Sequence, residues 1–480
     1  ASTLPLRNPG IKWDPFVPQV PHSSAEDVAE AVASARRGLR EWSSLQPRER
    51  GRVMTRAANL LRSKLEEFAQ LETRDTGKPI WESRCDMVTC IDALEYFGGL
   101  ACVALNGRHI PLTPSAFSLV TREPLGVIGA IGAWNYPLQG CLWKAAPALA
   151  CGNAVVFKPS PLTPATAVAV GEVFADAGLP PGVYNVVQGG SQTGQALCDH
   201  PKVDKLSFTG SVATGQRVMK AGAEKVIPVT LELGGKSPLI VFEDADLVNA
   251  VRGAVMANFL SQGEVCSNGT RVFVHRSLEQ SFRETLLSVV QRMKVGDPCE
   301  DDTVVGATIT EEHAQKVLGF IDRAQAEGAE VLIGGKRLSG GELPERCRGG
   351  VFLSPCVLGR CSDDMEVVRE EVFGSVLSLL TFDSEEEVVE RANDTPYGLA
   401  AGLFTRDVRR AHAVAQRLQA GNIWVNNYNL SPVEAPFGGF KRSGVGRENG
   451  EEALRMYSQT KSIYVELGDV DVGPMPDVRR

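Results

Sequence analysis

The chain has 480 residues, of which 43% are hydrophobic and 22% are charged, and its formal net charge is −8. A chain of this length is too long for one hydrophobic core, so two or three domains are expected. Acidic and basic residues are interspersed, which argues against a surface for nucleic acid or an anionic membrane. No run of about 20 apolar residues occurs, so no membrane span is expected.

The first residues, Ala1–Pro5, have neither a basic segment nor an apolar core, so we expect no signal peptide. The 11 cysteines are irregularly spaced and never form a Cys-x-x-Cys pair. Reduced thiols in a cytoplasmic protein explain this pattern better than a disulfide framework. No metal site is predicted.

The order of predicted elements indicates an α/β fold. The proline-rich first twenty residues are expected to be extended, and apolar residues at three- and four-residue steps predict helix over 25–72. From about residue 126, strands and helices alternate, as in a doubly wound parallel sheet. The predicted strands there are Gly126–Ile131, Asn153–Phe157, Val183–Val187 and Lys205–Phe208, with helices over 164–177, over 191–198 and after Gly215.

A second α/β stretch is expected over 237–440, with strands such as Pro238–Phe242 and Arg271–Val274. Near the end, Lys461–Leu467 alternates between polar and apolar residues like an exposed strand. A terminal strand needs a partner edge, which suggests strand pairing between subunits.

The chain lacks the Gly-x-Gly-x-x-Gly motif of many dinucleotide-binding domains. Instead, Phe208–Gly215 forms a glycine-containing turn between a predicted strand and helix, where backbone N–H groups can approach a phosphate. Lys158 and Ser160 end the neighbouring strand. Both segments lie at the carboxyl ends of parallel strands, where ligand crevices form. On their own, they could equally be a tight connection and a solvated strand end.

Three further segments carry chemical groups. Cys266 lies in glycine-containing chain, Glu232 precedes it by 34 positions beside a Gly-Gly pair, and Asn135 lies between Trp134 and Tyr136. A thiol with a carboxylate suggests covalent catalysis assisted by a base. Singly, each has a structural alternative: a buried thiol, a salt bridge or cap, and a turn before Pro137.

Together, these segments resemble the NAD(P)-dependent aldehyde dehydrogenase superfamily, from about Asp27 to the end of the chain. The resemblance implies a Rossmann-like cofactor domain, an α/β catalytic domain and a small β oligomerisation element in a homotetramer, a dimer of dimers. The implied boundaries are 1–106 and 125–234 for the dinucleotide-binding domain, 235–442 for the catalytic domain, and 107–124 and 458–470 for the oligomerisation element.

The resemblance also implies a mechanism. Cys266 would attack the aldehyde to form a thiohemiacetal, and hydride loss would leave a thioester. The Asn135 amide and the N–H of Cys266 would hold the oxyanion. Glu232 would be the general base, and Lys144 and Glu448 match a proton relay.

The implied cofactor is NAD, with NADP possible. The positions that match cofactor contacts are Trp134, Lys158, Ser160, Gly190, Phe208, Gly210, Ser211, Thr214, Gly215, Leu233, Glu371 and Phe373. Pro161 departs from the glutamate that many NAD-selective members carry, so exclusion of NADP is less secure. Glu264 replaces the usual glutamine before the nucleophile and could raise the pKa of Cys266 or point to solvent harmlessly.

The substrate side is expected to be aromatic. Tyr136 and Trp143, seven residues apart, are expected on one helix face, and Phe437 matches another wall of the tunnel. They could box a quaternary ammonium group or line an ordinary apolar tunnel. Glu434 and Glu95 are the acidic candidates for attracting a cation.

The segments around Asn135, Cys266 and Glu434 most resemble the family branch that oxidises aminoaldehydes such as 4-trimethylaminobutyraldehyde, in carnitine biosynthesis. A betaine aldehyde or broad-range aldehyde dehydrogenase is the alternative. Leu260 stands where strict betaine aldehyde enzymes commonly have tryptophan. A silent, crystallin-like structural protein is the alternative of another class, which the presence of Cys266, Glu232 and Asn135 disfavours. A CoA-acylating dehydrogenase is a third alternative. Such relatives generally lack the glutamate base, so the presence of Glu232 disfavours it.

Overall fold

The computed structural model describes residues 3–4, 10 and 20–475. Most of the segment expected to be extended, over the first twenty residues, lies outside the described part. The α-helices are α1 (Ala25–Ser44), α2 (Pro47–Ser63), α3 (Leu65–Thr76), α4 (Ile80–Leu100), α5 (Pro137–Ala150), α6 (Ala165–Asp176), α7 (Ser191–Asp199), α8 (Val212–Lys225), α9 (Leu247–Phe259), α10 (Glu279–Val290), α11 (Glu311–Ala326), α12 (Glu366–Arg369), α13 (Glu385–Asn393), α14 (Val408–Arg417) and α15 (Gly450–Met456).

The strands of the described residues form four sheets. They are β1 (Thr3–Leu4), β2 (Val20–Pro21), β3 (Arg108–Thr113), β4 (Ala116–Pro124), β5 (Val127–Ile131), β6 (Ala154–Lys158), β7 (Tyr184–Val186), β8 (Lys205–Thr209), β9 (Val229–Glu232), β10 (Pro238–Val241), β11 (Arg271–His275), β12 (Glu330–Ile333), β13 (Cys356–Gly359), β14 (Val376–Phe382), β15 (Ala400–Phe404), β16 (Asn422–Val425), β17 (Gly444–Val445) and β18 (Ser458–Glu466).

The predicted helical stretch 25–72 is divided into three helices for local reasons. Ser24 and Asp27 form a capping box that begins α1. Pro47 begins α2, since its missing N–H and fixed φ suit the first turn. α2 packs against the long α4, and both contribute to the main apolar core.

The first sheet positions the cofactor side of the site. Its order is β17-β9-β8-β5-β6-β7, and all neighbours are parallel except β17 and β9. β5 and β6 are buried along their whole length, which explains their continuous apolar sequences. The four strands predicted for this sheet, β5 to β8, are confirmed to within two residues. The strand order reverses direction at β5, so the carboxyl ends of β5 and β8 border a crevice suited to a ligand.

The second sheet positions the nucleophile side. Its order is β12-β13-β14-β11-β10-β15-β16, and only the β12–β13 pair is antiparallel. Separate apolar clusters lie on its two faces. The predicted strands at Pro238 and Arg271 are confirmed as β10 and β11. β17 follows residue 442 and pairs with β9, so the chain returns to the first sheet after the second is complete.

The third sheet joins distant parts of the chain. β18 pairs with β4 in antiparallel register from Ser458↔Pro124 to Glu466↔Ala116, and β3 pairs with the other edge of β4. The predicted tail strand is confirmed and begins three residues earlier than expected. The partner edge of this strand is β4 of the same chain, so β18 gives no evidence of pairing between subunits, which remains a prediction. The proposed domain boundaries also remain predictions. None of the helices described over 20–475 is long and apolar enough to cross a membrane.

Candidate active site

A cavity of about 510 Å³ opens between the carboxyl ends of the first sheet and the loops of the second. It brings together residues that are far apart in the sequence. Of the predicted site residues, its lining includes Trp134, Asn135, Lys158, Ser160, Gly190, Phe208, Gly210, Ser211, Thr214, Glu232, Leu233, Cys266, Glu371 and Phe373. Gly215, Lys144, Glu448 and the four predicted substrate residues lie outside this lining.

The nucleophile loop, residues 260–266, follows the end of α9. Ser261 and Gln262 have φ values of 49° and 55°, so the chain turns through left-handed conformations before Cys266. Gly263 has φ of 74°, and a Cβ there would overlap the backbone of Gly374. The loop therefore requires glycine at this position, and the loop containing Gly374 holds it in place.

Cys266 is half-buried and faces the cavity. Burial, followed by the charges of Glu371 and Glu232, raises the pKa of its thiol to about 12. Glu264 is not among these leading charges. It is buried and its carboxyl group accepts the N–H of Ile309 at 3.1 Å, so the expectation that it could point to solvent is wrong. The charge of Glu264 therefore does not dominate the pKa of Cys266. In this state, Cys266 holds its proton and must give it up to react.

Asn135 is buried directly beside the nucleophile loop. Its Nδ2 donates to the backbone oxygen of Glu264 at 2.8 Å. An amide nitrogen has two N–H groups, so one bond fixes the side chain and leaves a second donor. The residue also lines the cavity. Asn135 therefore presents an oriented hydrogen-bond donor next to the thiol of Cys266.

Glu232 ends β9 and is buried, and neither of its carboxyl oxygens has a partner among the described residues. Burial and then the charge of Glu448 raise its pKa well above the usual range, against the opposing charges of Lys144 and Arg447. A carboxyl group in this setting binds a proton more strongly than one in water. Glu232 therefore has the environment of a proton acceptor.

Behind Glu232, Lys144 and Glu448 form a buried ion pair. Lys144 Nζ also donates to Thr209 Oγ1 at 2.7 Å, and Thr209 lines the cavity. Lys205, a residue not predicted for the site, donates to Thr230 Oγ1 at 2.6 Å. Burial and then Lys144 lower the pKa of Lys205 to about 7. Lys205 is buried at the start of β8, and its only sequence signal is a lysine at the first position of a strand.

The opposite end of the cavity is lined by glycine and helix N-termini. A Cβ on Gly210 would lie 2.6 Å from the Phe208 ring, so only glycine lets the chain pass here. α8 begins after Ser211, whose hydroxyl accepts the N–H of Thr214 at 3.4 Å. Gly215 serves packing: its Cβ would lie 2.6 Å from Leu233.

Two further charged side chains line the cavity. Lys158 ends β6, and burial lowers its pKa to about 8. Glu371 accepts the N–H of Gly235 at 3.2 Å, and a Cβ on Gly234 would overlap its carboxylate. Burial raises the pKa of Glu371 to about 7. N–H groups at a helix N-terminus suit phosphates, and lysine and glutamate side chains can hydrogen-bond to ribose hydroxyls, so the donor set fits a dinucleotide.

The aromatic side of the site differs from its prediction. Trp143 and Phe437 are in edge-to-face contact, with ring centroids 5.3 Å apart, and belong to the core cluster against which Cys266 packs. Tyr136, however, precedes α5, because Pro137 occupies the first helical position. The expectation of one shared helix face is therefore wrong. Lys78 Nζ lies 3.9 Å from the centre of the Tyr136 ring, so one face of it is already occupied.

The acidic candidates lie at the surface. Glu434 is exposed, and Glu95 pairs with Arg62 at 2.8 Å. Both influence Asp92, whose pKa is raised by burial and then by Glu95 and Glu434. These carboxylates therefore form an acidic patch on α4 and the chain before Phe437.

The sequence model of the aldehyde dehydrogenase family matches residues 3–463. The chain belongs to this family. It is 52% identical over 451 residues to 4-trimethylaminobutyraldehyde dehydrogenase of Homo sapiens, covering 94% of this chain and 90% of the relative. It is 53% identical over 445 residues to 4-trimethylaminobutyraldehyde dehydrogenase B of Danio rerio, covering 93% and 85%.

Solved structures of the family have the same fold. Betaine aldehyde dehydrogenase of Staphylococcus aureus in complex with NAD+ is 37% identical, with a TM-score of 0.94, and covers 99% of this chain and 94% of its own. A variant of aldehyde dehydrogenase from Bacillus cereus is 38% identical, with a TM-score of 0.93 and coverages of 97% and 94%. The predicted fold and the prediction of an aldehyde dehydrogenase are confirmed.

In this aldehyde dehydrogenase, the cavity also includes residues that no sequence motif indicated. They are chiefly His313 and Lys316 of α11 and Arg217 of α8. His313 and Lys316 are three positions apart and so share one helix face, but this spacing occurs on many solvent-facing helices. Only the tertiary structure brings that face to the site.

Proposed function

We propose that this aldehyde dehydrogenase oxidises an aminoaldehyde, 4-trimethylaminobutyraldehyde or a close analogue, to its carboxylic acid with NAD+. The observation that carries the proposal is the convergence of Cys266, Asn135 and Glu232 on one cavity with Glu371 and Phe373. Relatives that bear this activity in their names are 52–53% identical to the chain. The names of these relatives support the choice of substrate.

The donor set at the glycine-lined end of the cavity would hold the cofactor. Gly210, Ser211 and the start of α8 offer N–H groups to the pyrophosphate, while Lys158 and Glu371 lie where ribose hydroxyls are expected. When bound, nicotinamide supplies a hydride acceptor next to the substrate carbon. Pro161 also lines the cavity and places no carboxylate against a ribose phosphate, so we propose NAD with some use of NADP.

Cys266 would act as the nucleophile. Once its proton is transferred to Glu232, directly or through water, the thiolate adds to the aldehyde carbon. The oxyanion would accept hydrogen bonds from the free N–H of Asn135 and from the backbone of Cys266. After hydride loss, the substrate is held as a thioester on the same sulfur.

Once Glu232 has passed on the proton taken from Cys266, it would remove a proton from the water that attacks the thioester. Return of this second proton to the departing thiolate releases the acid and restores the thiol. Burial and the charge of Glu448 raise the pKa of Glu232, which makes the ionised carboxylate a stronger proton acceptor. Thr209, Lys144 and Glu448 provide a continuous polar connection away from the cavity. We propose this connection as the route by which the proton leaves.

Recognition of a cationic substrate would rest on two features. The acidic patch of Asp92, Glu95 and Glu434 attracts a positive charge towards the protein. The Trp143–Phe437 pair then offers ring faces, each worth about 0.5–2 kcal/mol to a quaternary ammonium. Lys78 already occupies one face of Tyr136, so the proposed cage rests on Trp143 and Phe437.

The domain boundaries, the homotetramer, a cytoplasmic location and a role in carnitine biosynthesis belong to the same proposal. The three-stranded sheet supports assembly, because the outer edges of β3 and β18 have no pairing strand in the described chain.

The test is NADH formation with 4-trimethylaminobutyraldehyde, betaine aldehyde and hexanal, each with NAD+ and with NADP+. We expect a higher kcat/KM for the trimethylammonium aldehyde with NAD+. Equal turnover of hexanal would retain the dehydrogenase and reject the cation site, giving a broad-range enzyme. Folded protein without turnover on any aldehyde would indicate a structural role.

A further inference from the structure

Two loops of the active site are in direct contact. The nucleophile loop carries Cys266, and the cofactor loop, residues 370–375, carries Glu371 and Phe373. Gly263 packs so closely on Gly374 that a Cβ would overlap the opposing backbone. A Cβ on Gly374 would in turn lie 2.7 Å from Val317 of α11. α11 thus supports both loops.

His313 of α11 holds the cofactor loop at its most strained residue. Phe373 has φ of 63°, a left-handed conformation that costs free energy and persists only where the surroundings fix it. The Nε2 of His313 lies 2.7 Å from the Phe373 oxygen. A carbonyl can only accept, so Nε2 carries the proton. The His313 ring also makes edge-to-face contact with Trp134, at 5.5 Å between centroids.

Glu264 links the region of α11 to the nucleophile loop. Its carboxylate accepts the N–H of Ile309 just before α11 and lies 4.0 Å from His313 Nε2. Its backbone oxygen accepts from Asn135. One residue therefore joins the chain leading into α11 to the side chain that we assign to the oxyanion.

We propose that His313 is a positioning residue which, with Glu264, locks the cofactor loop to the nucleophile loop. This inference rests on the proposed function, since it concerns NAD+. Without the bond from His313, Phe373 would relax from its left-handed conformation and displace Glu371, two residues earlier. NAD+ binding would then no longer set the position of Cys266 through the contact between Gly263 and Gly374.

The test compares His313→Leu, which removes the donor, with His313→Gln, which retains an N–H at similar reach. Gln315→Leu, an exposed change on the same helix, is the control. The first readout is the NAD+ dissociation constant from quenching of tryptophan fluorescence, without aldehyde. The second is the rate of Cys266 alkylation by iodoacetamide with and without NAD+, followed on the Cys266 peptide by mass spectrometry.

We expect His313→Leu to weaken NAD+ binding about tenfold, because the partly buried carbonyl of Phe373 loses its donor, and to abolish the effect of NAD+ on alkylation. His313→Gln should stay within about threefold of wild type. If the leucine variant does not fold, His313→Asn, whose amide is too short, replaces it.

Wild-type binding with an unchanged constant in His313→Leu would overturn this inference alone. Equal weakening in His313→Leu and His313→Gln would also overturn it, since the hydrogen bond would then not matter. Wild-type protein that fails to bind NAD+ would overturn the proposed function, and this inference with it.

Discussion

The buried pair of Lys144 and Glu448 allows two substitutions with opposite expected effects on Glu232. The charge of Glu448 raises the pKa of Glu232, and the charge of Lys144 lowers it. Glu448→Gln should therefore lower this pKa, and Lys144→Met should raise it. Neighbouring charges shift a pKa by about 1–3 units when close, so we expect a shift of about one unit in each direction.

The assay is the dependence of kcat on pH, measured from NADH formation at saturating aldehyde and NAD+ between about pH 5 and pH 9. A general base is active once ionised, so the acidic limb of the profile follows the pKa of Glu232. The limb should move to lower pH in Glu448→Gln and to higher pH in Lys144→Met.

Stability provides the internal control. Each substitution removes one partner of a buried ion pair and should cost about 3–5 kcal/mol, so both variants should unfold at lower temperature. A purely structural role would therefore change both in the same direction. Limbs that move together, or remain in place while both unfolding temperatures fall, would refute the assignment of Glu232 as the base.

Four further outcomes are expected. Cys266→Ala should produce no NADH yet bind NAD+ within about twofold of wild type, measured by fluorescence titration. Glu232→Gln should slow both the first turnover and the steady-state rate of NADH formation in stopped-flow measurements, because Glu232 accepts the proton of Cys266 as well as that of water; because the raised pKa of Glu232 makes its burial unfavourable as pH rises above about 4.3, this variant should also unfold at higher temperature at neutral pH. Gly234→Ala should weaken NAD+ binding by displacing Glu371, whereas Gly99→Ala, whose Cβ meets nothing within 4 Å, should not. Pro161→Glu should raise the ratio of kcat/KM with NAD+ to that with NADP+ by placing a carboxylate at the cofactor end of the cavity.

Strands β5 to β8 of the first sheet could be predicted closely, whereas the sequence patterns did not indicate β9 and β17. β5 and β6 are the clearest, because they are apolar runs buried along their whole length. The same regularity located Lys158 and Gly210 at the carboxyl ends of strands. Tyr136 was misplaced because its spacing from Trp143 was read without the helix-starting role of Pro137.

The contribution of α11 to the site could not be predicted from local sequence patterns. His313 acts through a bond to Phe373, 60 residues further along the chain, and no local pattern encodes that pairing. Glu264 likewise had two possible orientations, and only the position of Ile309 decides between them.

The protonated state of Cys266 has a consequence for the survival of the enzyme. Peroxides oxidise thiolates much faster than thiols, and the first product, a sulfenic acid, can proceed to irreversible forms. A thiol with a pKa of about 12 is a poor target. Between turnovers, the reactive sulfur is therefore shielded from oxidative damage, and the period of vulnerability is confined to the moments when its proton has been removed.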